Sequence, residues 1–217
     1  MFTGLIEDIG QLNRVEIKGR GGSLTIGCSL PLSEVKIGDS IAVNGACLTV
    51  TAISAGAFAV DFSRETAART AFEHARPGTR VHLERAMRLT DRLDGHLVMG
   101  HVDGVGHVQS SVGQSDSWHM VVSCPESISR YLVDKGSVAV HGVSLTVNEV
   151  LDGAFEITIV PHTTKRTFLT ELPIGTAVNL EADMLAKYVE RLLGKSSGAE
   201  KTDGVSLATL ISSGFGR

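Results

Sequence analysis

The chain has 217 residues, of which 42% are hydrophobic and 5% aromatic, and a formal net charge of −4. That length fits one large domain or two small ones. Mild acidity with scattered basic residues offers no phosphate-tracking stripe, which argues against nucleic acid as a partner, and no apolar run reaches membrane-spanning length.

In chain order, residues 1–7 lack the basic stretch and apolar core of a signal peptide. Short alternating apolar runs follow at residues 23–28, 40–43, 47–50 and 58–62, interrupted by turn signals at Gly21-Gly22, Gly38-Asp39, Asn44-Gly45 and Gly56. Several short strands at this spacing predict a small β-barrel, and Asn44-Gly45 predicts a two-residue hairpin turn. Residues 32–36 and 65–75 read as helical, matched later by 126–133 and 163–172. A polar joint spans residues 90–95. Residues 184–193 form an amphipathic helix with Leu185, Tyr188, Val189, Leu192 and Leu193 at helical spacing. An apolar stripe outside both barrels must be buried somewhere, and self-association is favoured over packing on its own barrels. Residues 195–217 read as a polar, Gly/Ser-containing linker and a weakly apolar, mobile end. The three cysteines, Cys28, Cys47 and Cys124, lack paired spacing. They argue against a disulfide framework or zinc site and for a reducing, cytoplasmic location.

The chain is written twice. Residues 40–50 (SIAVNGACLTV) return as residues 137–147 (SVAVHGVSLTV), and the offset of 97 holds through residue 87 with 19 identities in 48 positions. A unit this long is a duplicated domain, since solenoid repeats run roughly 20–50 residues. The reading is all-β in the main: two tandem six-stranded Greek-key barrels, a first domain over residues 1–95, a second over 96–183, a helix over 184–194 and a tail over 195–217.

The copies differ where chemistry could sit. Cys47 faces Ser144, Ala86 faces Asp183 and, with the opening segments aligned at an offset of 96, Leu5 faces His101. The first copy thus holds a thiol, the second an imidazole and a carboxylate. Leu48-Thr49 and Leu145-Thr146 alternate an inward and an outward side chain, and the Thr hydroxyl with the strand backbone could hold a flat polar heterocycle. Each residue also has a plain reading. A lone strand Cys is most often a small buried hydrophobe. A lone His is more often structural than catalytic, Asp183 could cap the following helix, Ser40 and Ser137 could be turn hydroxyls, and Asp94-Gly95-His96 could be turn chemistry alone.

Together, the opening residues 1–6 (MFTGLI), the twin Gly-x-(Cys/Ser)-Leu-Thr-Val motifs and residues 95–104 (GHLVMGHVDG) resemble the alpha-chain type of riboflavin synthase, from residue 1 to about 193. The resemblance implies two six-stranded barrels and a C-terminal helix that assembles a homotrimer. It implies dismutation of two 6,7-dimethyl-8-ribityllumazine molecules into riboflavin and 5-amino-6-ribitylaminouracil by four-carbon transfer, with no metal or redox cofactor. The active site would lie between the N-terminal barrel of one subunit and the C-terminal barrel of its neighbour. An association with lumazine synthase stays open.

By motif position, Phe2, Ser40, Cys47 and Thr49 match the family's N-barrel site, and His101, Ser144, Thr146 and Asp183 its C-barrel site. The resemblance makes Cys47, His101, Ser40, Phe2 and Asp183 the catalytic candidates. The first cradle would comprise Gly4, Leu5 and Ile6, then Leu48 and Thr49, then Asp61, Phe62, Ser63, Arg64, Glu65 and Thr66. The second would comprise Gly100 and Val102 beside His101, Lys135, Ser144, Leu145 and Thr146, then Val160, Pro161, His162, Thr163, Thr164 and Lys165. Departures are His141 where relatives carry Asp or Asn, expected to alter a turn and not the chemistry, Asp94 where Gly is common, and Ala46 where some relatives carry Cys.

Three rival classes bear on the reading, of which a purely structural trimer leaves the segregated Cys, His and Asp unexplained. A lumazine or flavin carrier of the luminescence antenna type shares the fold but lacks several reactive residues present here. A reductase flavin domain needs a Gly-rich phosphate loop, and Gly104-Val105-Gly106 lacks the third glycine and the βαβ setting.

Overall fold

The computed structural model describes residues 1–18 and 21–196, so the residues expected to form a tail lie, from 197 onward, outside the described ones. Twelve strands close into two antiparallel six-stranded barrels. The first is built from β1 (Asp8–Lys18), β2 (Gly21–Gly27), β3 (Ser40–Val43), β4 (Ala46–Ser54), β5 (Ala57–Phe62) and β6 (Arg80–Arg85). They run in the order β1-β2-β5-β4-β3-β6 around the barrel. The second uses β7 (Gly104–Gln114), β8 (Ser117–Ser123), β9 (Ser137–Val140), β10 (Val143–Leu151), β11 (Ala154–Ile159) and β12 (Ala177–Ala182) in the equivalent order. Each barrel encloses its own apolar core, one around Leu24, Ile41, Phe58 and Leu83, the other around Met120, Val138, Phe155 and Leu180. Both barrels lie in one compact unit, Met1–Met184.

The turn chemistry fits the strands. Asn44 and His141 have φ of 46° and 48°, and Gly45 and Gly142 follow at 80° and 81°. These positive angles match the twist of a two-residue hairpin and join β3 to β4 and β9 to β10.

The longer helices expected at residues 65–75 and 163–172 break in two. Helix α1 (Arg64–Arg69) stops before a 3-10 turn at Ala71–His74, and α3 (Pro161–Arg166) stops before one at Leu169–Glu171. At each break a threonine is extended, and its hydroxyl donates to the carbonyl four residues back, Thr70 to Thr66 at 2.6 Å and Thr167 to Thr163 at 2.8 Å. Such side-chain bonds compete with continuation of the helix. Residues 32–36 contribute only a 3-10 turn at Leu32–Glu34, and the matching stretch gives the short α2 (Glu126–Ser129).

The terminal helix α4 spans Met184–Ser196, and its Leu185, Tyr188, Val189, Leu192 and Leu193 are each more than half exposed. No described helix is long and apolar enough to cross a membrane.

Candidate functional site

Strand alternation decides which side chains can meet a ligand. In β4, Ala46, Leu48 and Val50 are buried, whereas Cys47 is half-buried and Thr49 exposed. In β10, Val143, Leu145 and Val147 are buried, with Ser144 half-buried and Thr146 exposed. The reactive groups therefore sit on the outer faces of the barrels. Leu48 and Leu145, expected in the cradle, are core residues. Cross-strand register extends the first face: Cys47 pairs with Ala42, Thr49 with Ser40 on one side and Asp61 on the other, and Glu84 lies opposite Ala42. The second face repeats it with Ser144, Ala139 and Glu181.

These faces are covered by short segments that change sides. Residues 2–6 lead into the first barrel, yet Gly4 accepts a hydrogen bond from the Ser144 N–H at 2.8 Å and Ile6 packs on the second core. Residues 98–102 lead into the second barrel, yet Gly100 accepts from the Cys47 N–H at 2.9 Å and Val102 belongs to the first core. The segments pair through Phe2 and Val98, whose amides and carbonyls bond reciprocally at 2.7 and 3.1 Å. Phe2 is fully buried in a cluster with Ala42, Val98 and Ala139, and Cys47 packs against it. Its side chain supports the site from behind. The tight approach explains the glycines: a Cβ on Gly4 would lie 2.6 Å from the Ser144 Cβ, and one on Gly100 would lie 2.5 Å from the Cys47 Cβ.

The grouping expected from the motifs is thereby crossed. His101, Gly100 and Val102 join Cys47, Glu65, Thr66, Arg69, Thr70 and Asp103 around a cleft of about 410 Å³ on the first barrel. That volume suits a small heterocycle. Gly4 instead belongs beside Ser144. Ser40 and Leu5 line a different cleft of about 570 Å³, together with Glu84, Arg85 and Ala86. Phe62 is a core side chain, Ser63 caps α1 by accepting from the Thr66 N–H, and Arg64 lies in an apolar groove with Ile17 and Phe72. On the second barrel Val160, Pro161, His162 and Lys165 are exposed around α3, Thr163 and Thr164 are half-buried, and Lys135 is exposed at φ 64°. Asp183 follows β12 directly and is half-buried.

Two buried carboxylates, not singled out by the sequence, hold the crossing segments. Glu84 accepts from the Thr3 N–H at 2.6 Å, the Thr3 hydroxyl at 2.7 Å and the Gly4 N–H at 3.0 Å. Burial pushes its pKa up while these donors pull it back. Glu181 accepts from the N–H groups of Met99 and Gly100 at 2.7 and 3.0 Å. The signal was available, since Glu84 and Glu181 coincide in the repeat.

His96, for which the sequence allows a plain turn role, is another such residue. It is 7% exposed, and its Nδ1 lies 2.7 Å from the Ser144 Oγ. Burial lowers its pKa, opposed by the Asp183 charge.

Where the hairpin turns meet, His82 Nδ1 is 3.1 Å from the His141 carbonyl oxygen and its Nε2 accepts from the Phe168 N–H at 3.1 Å. His141 Nδ1 accepts from the Asn179 N–H at 3.1 Å. Its side chain thus enters a buried inter-barrel cluster, a role beyond the altered turn expected for it.

The lumazine binding domain family matches this chain twice, over residues 3–86 and 99–183. A riboflavin synthase of Photobacterium phosphoreum is 44% identical over 99% of this chain and 99% of its own length. One of Bacillus subtilis (strain 168) is 40% identical over 99% of this chain and all of its own. Among solved structures, LumP complexed with 6,7-dimethyl-8-(1'-D-ribityl) lumazine superposes with a TM-score of 0.75 at 23% identity, covering 84% of this chain and 99% of LumP. That likeness is one of fold.

Proposed function

This chain belongs to the riboflavin synthase family, built on two lumazine-binding domains, and on that premise we propose how its two faces divide the work. The reaction is the dismutation of two 6,7-dimethyl-8-ribityllumazine molecules by four-carbon transfer, giving riboflavin and 5-amino-6-ribitylaminouracil. The observation that carries this reading is one cradle built twice with unlike groups: Cys47 and His101 on one cleft, Ser144 at the same register position on the other barrel.

Like cradles accept like ligands, and unlike groups give them unlike roles. One lumazine gives up four carbons and the other takes them. The acidic 7-methyl group must lose a proton, and a pyrazine ring must accept a nucleophile. Cys47 and His101 serve these steps on the first barrel, Ser144, Thr146 and Asp183 on the second, and Ser40 orients a water or hydroxyl. Phe2 acts by holding the wall behind Cys47. Stacking the two rings replaces a bimolecular encounter with an intramolecular one, worth on the order of 7–11 kcal/mol, and acid/base groups add roughly 10²–10⁴-fold. The apolar stripe of α4 supports a homotrimer, with each site formed by the first barrel of one protomer and the second barrel of the next.

The test is to add 6,7-dimethyl-8-ribityllumazine alone to the purified protein and follow absorbance. Riboflavin formed at half the lumazine consumed is the expected result. Tight binding with an unchanged lumazine spectrum would instead make the protein a carrier.

A further inference from the structure

The structure places a second imidazole where the reaction can use it. Both histidines of residues 95–101 reach a nucleophile-bearing strand: His101 lines the cleft of Cys47, and His96 bonds the Ser144 hydroxyl. His96 is held for that contact. Its N–H donates to the Thr3 carbonyl at 3.2 Å, and Thr3 is itself fixed by Glu84. Gly95 permits the approach, because a Cβ there would lie 2.0 Å from the Thr3 oxygen and 3.2 Å from the Ser144 Cβ.

The geometry also gives the bond a direction. The Nε2 of His96 is buried and has no hydrogen-bond partner among the described residues. Burial favours the neutral ring, which carries one N–H. A buried N–H left without an acceptor is rarer than a bare acceptor, which favours the tautomer with the proton on Nδ1, facing Ser144 Oγ at 2.7 Å. The serine's own O–H is then free to turn outward, and Ser144 is half-buried while His96 lies behind it.

We propose that His96 is a positioning residue that fixes the Ser144 hydroxyl as a hydrogen-bond donor to the lumazine held by the second barrel. This rests on the proposed function, in that Ser144 faces bound lumazine. A donor held in place strengthens where negative charge develops on the heterocycle and costs no reorganisation at that moment.

The experiment is a double-mutant cycle on the full-length protein, with kcat, KM and the thermal midpoint measured for each variant. His96→Ala is expected to lower kcat roughly ten- to hundredfold, the scale of a misplaced reacting group, with KM within about threefold. His96→Asn places an amide N–H where Nδ1 lies and restores most of kcat. Adding His96→Ala to Ser144→Ala costs nothing further, because the histidine acts only through that hydroxyl. Additive losses, no rescue by a folded His96→Asn, or an unchanged kcat in Ser144→Ala would overturn the proposal while leaving the dismutation intact. No riboflavin from the unsubstituted protein would instead sink the reading of the function, and this role with it.

Discussion

Cys47 and Ser144 hold one register position in two barrels and differ by sulfur against oxygen. A thiol ionises far more readily than a hydroxyl, so near-identical backbones present groups of different acidity and nucleophilicity. Cys47→Ser erases that difference with little change in volume, and His101→Gln removes the imidazole from an exposed position. Each is expected to cut turnover at least about tenfold with an unchanged melting curve. Full turnover in both variants would remove them from the chemistry. Phe2 belongs to another class. Its ring is fully buried between Ala42, Val98 and Ala139, so Phe2→Ala leaves a cavity and should cost about 3–5 kcal/mol in denaturant unfolding.

At the scale of elements, the two hairpin turns pack directly against each other. Gly45 and Gly142 face each other so closely that a Cβ on either would lie 2.7 Å from the other's amide nitrogen. Both also have positive φ, which a side chain resists. Gly142→Ala therefore combines backbone strain with a collision against a second turn, and should lower unfolding stability by about 2 kcal/mol or more. By contrast, a Cβ on Gly153 meets nothing within 4 Å. Gly153→Ala at φ 66° should show the strain alone, about 1–2 kcal/mol, and an equal loss in both variants would refute the collision.

At the scale of the whole molecule, the barrels are joined partly through neutral histidines. Burial depresses His82 to about 3, with the His141 ring adding to the effect, and depresses His141 to about 4. Both lie below the ordinary 6.5, so the unfolded chain binds protons that the fold refuses. Stability is full above about pH 6.5 and falls as pH drops towards 4 and then 3, by up to about 1.4 kcal/mol per pH unit for each histidine. In His141→Asn the amide oxygen can accept the Asn179 N–H as the Asn44 side chain accepts the His82 N–H. That variant should keep its stability near neutral pH and lose part of the acid sensitivity, as read from urea midpoints across the pH range. At the same scale, the homotrimer proposed above predicts that Leu192→Lys with Leu193→Lys lowers the mass in sedimentation and reduces turnover; an unchanged mass would remove α4 from assembly.

How much was legible follows from where the information lies. Strand alternation, the Asn-Gly turn and the repeat itself are local or periodic properties. Residues 40–50 and 137–147 alone therefore implied two like barrels with a thiol and a hydroxyl at one position. The exchange of covering segments was not legible. Residues 2–6 and 98–102 make matching contacts, Gly4 with Ser144 and Gly100 with Cys47, so no local preference says which barrel each one covers. His96 looked like turn chemistry because its partner Ser144 is 48 residues away, and His141 like a turn substitution because its partner Asn179 is 38 away. The sequence by itself determined the architecture and which side chains stand at the matched positions of the repeat. The tertiary structure decided which of them share a face, because closing the first barrel with the segment that leads into the second sets His101 against Cys47, and pairing that segment with residues 2–6 holds His96 against Ser144.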